Sequence, residues 1–161
     1  MPLRRYTTGA LPPFILIHAT VLMVFFQPLT VRLFVLSMVT CLVRMFGVTA
    51  GYHRYFSHRS YKLGRPAQFV MAILAQTSAQ KGVLWWSAHH RSHHKKTEGL
   101  EDPHSPVQRG FWWAHVGWIV SGQHDEYDSR LVADFSKYPE LRWLDRHHWV
   151  PTSILGLTIF A

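Results

Sequence analysis

Residues 29–58 read LTVRLFVLSMVTCLVRMFGVTAGYHRYFSH, and this stretch decides the fold. From Val31 to Gly51 it is apolar apart from Arg32, Arg44 and a few hydroxyls, close to the roughly 20 residues a helix needs to cross a bilayer. His53 and His58 follow at once, so an apolar rod delivers imidazoles to a membrane face. Toward the N-terminus, Leu11 to Phe26 is apolar except for His18 and Thr20, and Pro12-Pro13 suits a helix start. Gln27 and Pro28 fit the interface, and Leu29-Thr30-Val31-Arg32 turns the chain back. The expectation is a transmembrane helical hairpin with spans at about 11–28 and 31–51. Both of its ends, Arg4-Arg5 and the basic region after His53, then lie on one side. The positive-inside rule makes that side cytoplasmic. No small-residue cleavage site follows the arginines, which argues against a signal peptide. Arg44 is expected to reach the cytoplasmic interface.

A denser histidine cluster follows. His89-His90-Arg91-Ser92-His93-His94 comes directly after Trp85-Trp86-Ser87-Ala88. On a helix, positions 90, 93 and 94 fall within roughly a 100° arc, so three imidazoles project from one face. Neutral imidazole is the commonest ligand for transition metals, and four histidines in six residues are far more than a solvated basic helix requires. His89 falls to the side of the arc. His53 and His58 add two imidazoles, yet five residues of α-helix rotate by about 500° and leave their rings some 140° apart. Both can ligate only if the helix ends between them or if they serve different ions.

The single cysteine, Cys41, excludes a disulfide framework, a thiolate zinc site and a cysteine-ligated iron–sulfur cluster built by this chain alone. A length of 161 residues points to one domain, and the net charge of +8 to nucleic acid or an anionic membrane surface. The basic residues sit among membrane-facing aromatics, so nucleic acid is the weaker choice. Phe69, Val70, Ile73 and Leu74 form an apolar stripe opposed by Gln68, Gln76 and Ser78. That pattern fits a helix lying along the bilayer or an ordinary core-facing helix equally well. Trp112, Trp113 and Trp118 suit a membrane interface. Residues 122–147 read as a cytoplasmic connector, with a short helical pattern around Leu131, Val132 and Phe135 that breaks at Pro139. His18 reads as a packed or interfacial residue. His147-His148 reads as a membrane boundary before a new apolar run, 149–161, the start of a third span. The fold class is therefore an all-α membrane protein: a hairpin, a cytoplasmic helical cap at about 52–147, and a partial third membrane helix.

His53-Arg54-Tyr55-Phe56-Ser57-His58 resembles the first histidine box of the membrane fatty acid desaturases, and His90-Arg91-Ser92-His93-His94 resembles the second. Gly47 to Tyr52, Asp102-Pro103-His104 and Arg109 to Trp118 are similar to the acyl-CoA delta-9, or stearoyl-CoA, branch. The match covers about residues 47–120. The resemblance implies four membrane helices under a cytoplasmic cap that houses two iron ions, with His53, His58, His90, His93 and His94 as ligands. His104 also lies in the family's pattern but is not assigned to iron. The implied reaction is oxygen-dependent desaturation of a fatty acyl chain. A separate donor of ferredoxin, rubredoxin or cytochrome b5 type, with its reductase, would supply electrons. The implied home is a membrane, with a bacterial inner membrane expected before the endoplasmic reticulum.

Two departures qualify the resemblance. Ala88-His89 stands where acyl-CoA desaturases often carry Arg-Asp, which leaves acyl-lipid substrates open beside acyl-CoA. No third His-x-x-His-His box occurs, so the chain reads as an incomplete enzyme that is expected to be inactive alone. The competing functions are a related histidine-box hydroxylase or monooxygenase, and a non-catalytic membrane metal-binding fragment.

Overall fold

The computed structural model describes residues 11–96, 99, 102 and 105–160. Arg4, Arg5, Glu98, Glu101 and His104 lie outside them. Every regular element among the described residues is helical. Helix α1 (Leu11–Val21) runs into a 3₁₀ turn, Leu22–Phe26. Helix α2 (Val31–Phe46) continues without a break into a π-helical segment, Gly47–Ser57. Then come α3 (Arg65–Gln76), α4 (Val83–Lys96) and α5 (Pro106–Arg109). A second π-helical segment, Trp113–Gly117, leads into α6 (Trp118–Val120). A 3₁₀ turn at Ser129–Val132 precedes α7 (Ala133–Ser136), α8 (Pro139–Arg146) and α9 (Trp149–Phe160).

The second expected span is longer than its apolar run. It forms one 27-residue rod, Val31–Ser57, which alone among the described helices is long and apolar enough to cross a membrane. Leu11–Phe26 and Trp149–Ile159 are shorter apolar helices. Leu33, Phe34, Val35, Leu36, Met38 and Val39 stand exposed along α2, and a contiguous apolar surface of that kind marks a lipid or protein contact.

The chain forms two compact units, Met1–Val31 with His93–Glu126 and Arg32–Ser92 with Tyr127–Ala161. In the first, Ser105 caps α5, its hydroxyl accepting from the Gln108 amide at 3.4 Å. Gly110 takes φ +80°, a turn that only glycine makes without strain. Phe111 and Trp112 are exposed beyond it, whereas Trp113 is buried under the Arg109 guanidinium, 5.4 Å from its ring centre.

The second unit holds the hydrophobic core: Tyr52, Tyr55 and Phe56 from the π-helical segment, Ala72 and Ala75 from α3, and Val83, Leu84 and Ala88 from α4. Val132, Phe135, Leu141 and Leu144 complete it. Residues 127–146 are thus part of the core, where the sequence reads as a connector. Their apolar residues fall in a 3₁₀ turn and two short helices, too brief to show a period, and Pro139 opens α8 at its first turn, where its missing N–H costs nothing.

Helix α3 buries most deeply the small and amide residues beside its apolar stripe, while Phe69 and Ile73 of the stripe pack partly buried against the core. Gln68, Ala72, Ala75 and Gln76 are buried, while Val70 is exposed. Close approach of backbones explains the choice. A Cβ on Gly47 would lie 2.8 Å from the Leu74 carbonyl oxygen, and one on Gly51 would lie 3.2 Å from the Ala75 methyl. Only small residues permit such a seam. Each buried amide is paired at one end: Tyr55 donates to Gln68 Oε1 at 3.1 Å, and Gln76 Nε2 donates to the Leu144 carbonyl at 2.9 Å.

Candidate metal centre

The rod's change of helix type sets the first half of the site. In the segment Gly47–Ser57 hydrogen bonds run from i+5 to i, and the His58 amide continues the pattern by donating to the His53 carbonyl at 3.0 Å. A wider turn replaces one of 3.6 residues, so residues five apart come back toward the same face. His53 Nε2 and His58 Nε2 consequently stand 3.2 Å apart. The 140° divergence expected of an α-helix does not arise: the segment is π-helical and ends at Ser57, with His58 as its C-cap.

Helix α4 brings the second half. His90 Nε2 lies 3.1 Å from His58 Nε2, and its ring meets that of His53 at 4.8 Å between centres. One turn on along the same unbroken helix, His94 joins them. The four residues His53, His58, His90 and His94 offer nitrogens that all lie within 4.8 Å of one another. His93 is not in this group. Its Nδ1 stands 3.0 Å from Oδ2 of Asp102, a fully buried carboxylate. His89 packs against Trp85, with ring centres 4.4 Å apart. His18 stays local, its Nδ1 2.7 Å from the Phe14 carbonyl oxygen, and His148 Nδ1 lies 3.2 Å from the Asp145 carbonyl oxygen.

The donor set fits a transition-metal ion. One imidazole nitrogen bonds another only when one carries the proton and the other does not, and His58 Nε2 faces two such neighbours. A shared cation lets every nitrogen act as a donor of electrons. Bonds of about 2.0–2.1 Å to one ion would set neighbouring nitrogens roughly 3.0–3.4 Å apart, the spacing found between His58 and its two partners.

Two supports fix α4. The Trp86 ring stacks on His90 at 4.8 Å and on Tyr52 at 5.1 Å. At the helix start, Gly82 has no side chain with which to cap, and Asp145 of α8 supplies the oxygen. Its Oδ1 accepts from the amides of Leu84 and Trp85 at 2.9 and 3.0 Å, and Tyr127 donates its hydroxyl to Oδ2 at 2.9 Å. A carboxylate there also meets the positive end of the helix dipole. Burial raises the Asp145 carboxyl above its ordinary range, opposed by these amide and hydroxyl hydrogen bonds.

The sequence profile described as "Fatty acid desaturase" matches residues 28–160. The chain belongs to the fatty acid desaturase family. It is 35% identical over 125 residues to a probable acyl-CoA desaturase of Schizosaccharomyces pombe, covering 77% of this chain and 26% of that protein. It is 40% identical over 114 residues to a delta(9)-fatty-acid desaturase of Caenorhabditis elegans, covering 68% and 33%. An sn-2 palmitoyl-lipid 9-desaturase of Nostoc is 34% identical over 106 residues, covering 63% and 37%. The chain therefore spans only about a quarter to a third of the length of these relatives.

Within this chain, the grouping of His90 with His94 follows from helix periodicity alone. The pairing of His53 with His58 and the capping role of Asp145 do not. The first depends on a π-helix, for which the two glycines of Gly47-Val48-Thr49-Ala50-Gly51 are at most a hint. The second joins residues 60 or more positions apart.

Proposed function

We propose that this chain forms the histidine-rich part of an oxygen-dependent desaturase that places a double bond in a fatty acyl chain at the delta-9 position. The observation that carries this is the convergence of His53, His58, His90 and His94 in a chain of the desaturase family. The ligand set is these four and His93. Asp102 at His93 Nδ1 is the kind of carboxylate partner that fixes the tautomer of metal-binding histidines. The family chemistry assigns two iron ions to the complete enzyme.

The substrate dictates such a site. Hydrogen on a mid-chain methylene is not acidic and has no leaving group beside it, so acid–base side chains cannot remove it. Iron, when bound, supplies the oxidation with O₂. The residues of this chain hold nitrogen ligands in place: the π-helical segment presents His53 and His58, Trp86 orients His90, and Asp145 anchors the start of α4. For electrons the proposal is a separate donor of ferredoxin, rubredoxin or cytochrome b5 type, since residues 1–161 themselves carry a single cysteine and no haem or flavin motif.

Acyl-CoA is the proposed carrier, in keeping with the name of the fungal relative. The lipid-acting Nostoc relative and the Ala88-His89 departure keep acyl-lipids as the second choice. The exposed apolar rod Val31–Ser57 supports a membrane protein. The proposal adds the hairpin and third span to it, turns the boxes to the cytoplasm by the positive-inside rule, and takes a bacterial inner membrane before the endoplasmic reticulum. The test is product analysis in membranes that express, with an electron donor, either the full-length gene encoding these residues or residues 1–161 alone. A new cis-alkene at carbon 9 is expected from the first and none from the second. A hydroxylated chain would make it a hydroxylase, and bound zinc without an oxidised product would make it a metal-binding protein only.

A further inference from the structure

The residue that follows each of two clustered histidines reaches the same carboxylate. Arg59, next to His58, places Nε 2.7 Å from Asp134 Oδ2. Arg91, next to His90, donates from Nη1 to Asp134 Oδ1 at 2.9 Å and from Nη2 to Oδ2 at 3.1 Å. The other Arg91 donors are used as well. Nε donates to the Ser57 carbonyl at 2.9 Å, Nη1 to the Leu131 carbonyl at 2.5 Å, and Nη2 to the Phe56 carbonyl. All five N–H groups of the guanidinium therefore have acceptors.

Phe56 and Ser57 close the π-helical segment, where carbonyl groups lack partners within the helix. Arg91 supplies those partners from α4, and Asp134 of α7 holds its planar fork with a matching two-point contact. The Arg91 side chain is only 11% exposed, so this is a largely desolvated clamp and not a surface ion pair. It joins the backbone one residue before His58 to the helix position one residue after His90.

We propose that Arg91 and Asp134 are positioning residues that set His58 against His90, and that Asp134 couples the two boxes. They do not contact the ion. The proposal rests on the metal reading of the four histidines, and the experiment separates the two. The full chain in detergent is titrated with Co²⁺, whose visible absorption reports ligand number and symmetry, and each variant is melted in parallel. The wild type is expected to bind Co²⁺ with a nitrogen-ligated spectrum. Asp134→Asn and Arg91→Lys should weaken binding about 10- to 100-fold, the usual cost of losing a partner that orients ligands, and alter the spectrum. A lysine keeps the charge but not the fork. Arg59→Ala removes the exposed arm and should keep its fold, with affinity falling about 2- to 5-fold. Gln76→Ala loses a buried hydrogen bond to Leu144 away from the histidines. It should lower the melting temperature and leave the cobalt affinity and spectrum unchanged. Should Asp134→Asn or Arg91→Lys fail to fold, Arg59→Ala decides, and wild-type affinity in that variant overturns the coupling. Folded Asp134→Asn with wild-type affinity and spectrum likewise overturns the positioning role. A wild-type chain that binds no Co²⁺ overturns the metal reading itself.

Discussion

Replacing Asp145 with alanine should be among the most destabilising single changes outside the hydrophobic core. The substitution orphans the Leu84 and Trp85 amides and the Tyr127 hydroxyl at one stroke. Losing a helix cap costs about 0.5–2 kcal/mol, and each hydrogen bond to a charged group contributes about 1.5–3 kcal/mol. Burial offsets part of this, because it disfavours the ionised carboxyl and raises its pKa. A net loss of about 2–4 kcal/mol follows, or very roughly 4–16 °C in melting temperature for a chain of this size. Asp145→Asn should cost much less, since the amide oxygen still accepts and no charge is buried. The two also differ in pH dependence. A raised acid pKa means that the folded state holds the proton more tightly. Stability contributed by this group is therefore full below the unfolded value of 3.8 and declines as pH rises through the raised one. Asp145→Asn should remove that decline. Thermal unfolding of the chain in detergent, followed by circular dichroism across pH, reads both effects. An alanine variant within 0.5 kcal/mol of wild type would refute the capping role.

Gly47→Ala should destabilise by about 1–3 kcal/mol through overpacking, because its Cβ meets the backbone of Leu74 and Ala75 at 2.8–3.2 Å; an unchanged melting temperature would show that the seam with α3 is looser. A cysteine at exposed Ser60, in a chain whose exposed Cys41 is replaced by serine, should react with impermeant thiol reagents only after the membrane is opened. Labelling from outside intact cells would reverse the proposed orientation. Ser57 is unsuited to that test, being buried with its hydroxyl donating to the Tyr52 carbonyl at 2.7 Å.

What could be read in the sequence was whatever a single periodicity carries. The apolar run from Val31, the wealth of imidazole and the i, i+4 pair His90 and His94 all follow from helix geometry and composition. The rest depends on contacts between distant segments. The i, i+5 pair His53 and His58 looks divergent until the helix widens to the π form. The most deeply buried face of α3 lies beside its apolar stripe, because the packing against Gly47 and Gly51 selects small side chains over large ones. The core role of residues 127–146 is hidden because Val132, Phe135, Leu141 and Leu144 belong to helices of only four and eight residues. Asp134 and Asp145 carry no local signal of their tasks, which exist only once α4 is folded beside them.

The most direct test of the central claim is iron retention by the full chain. Wild type and variants are dialysed anaerobically against Fe²⁺, and bound iron per chain is measured by mass spectrometry. Wild type and His18→Ala should retain iron tightly, while His58→Ala and His94→Ala should lose it, since each removes a nitrogen that water replaces poorly. Undiminished iron in a folded His58→Ala or His94→Ala chain would contradict the four-histidine centre.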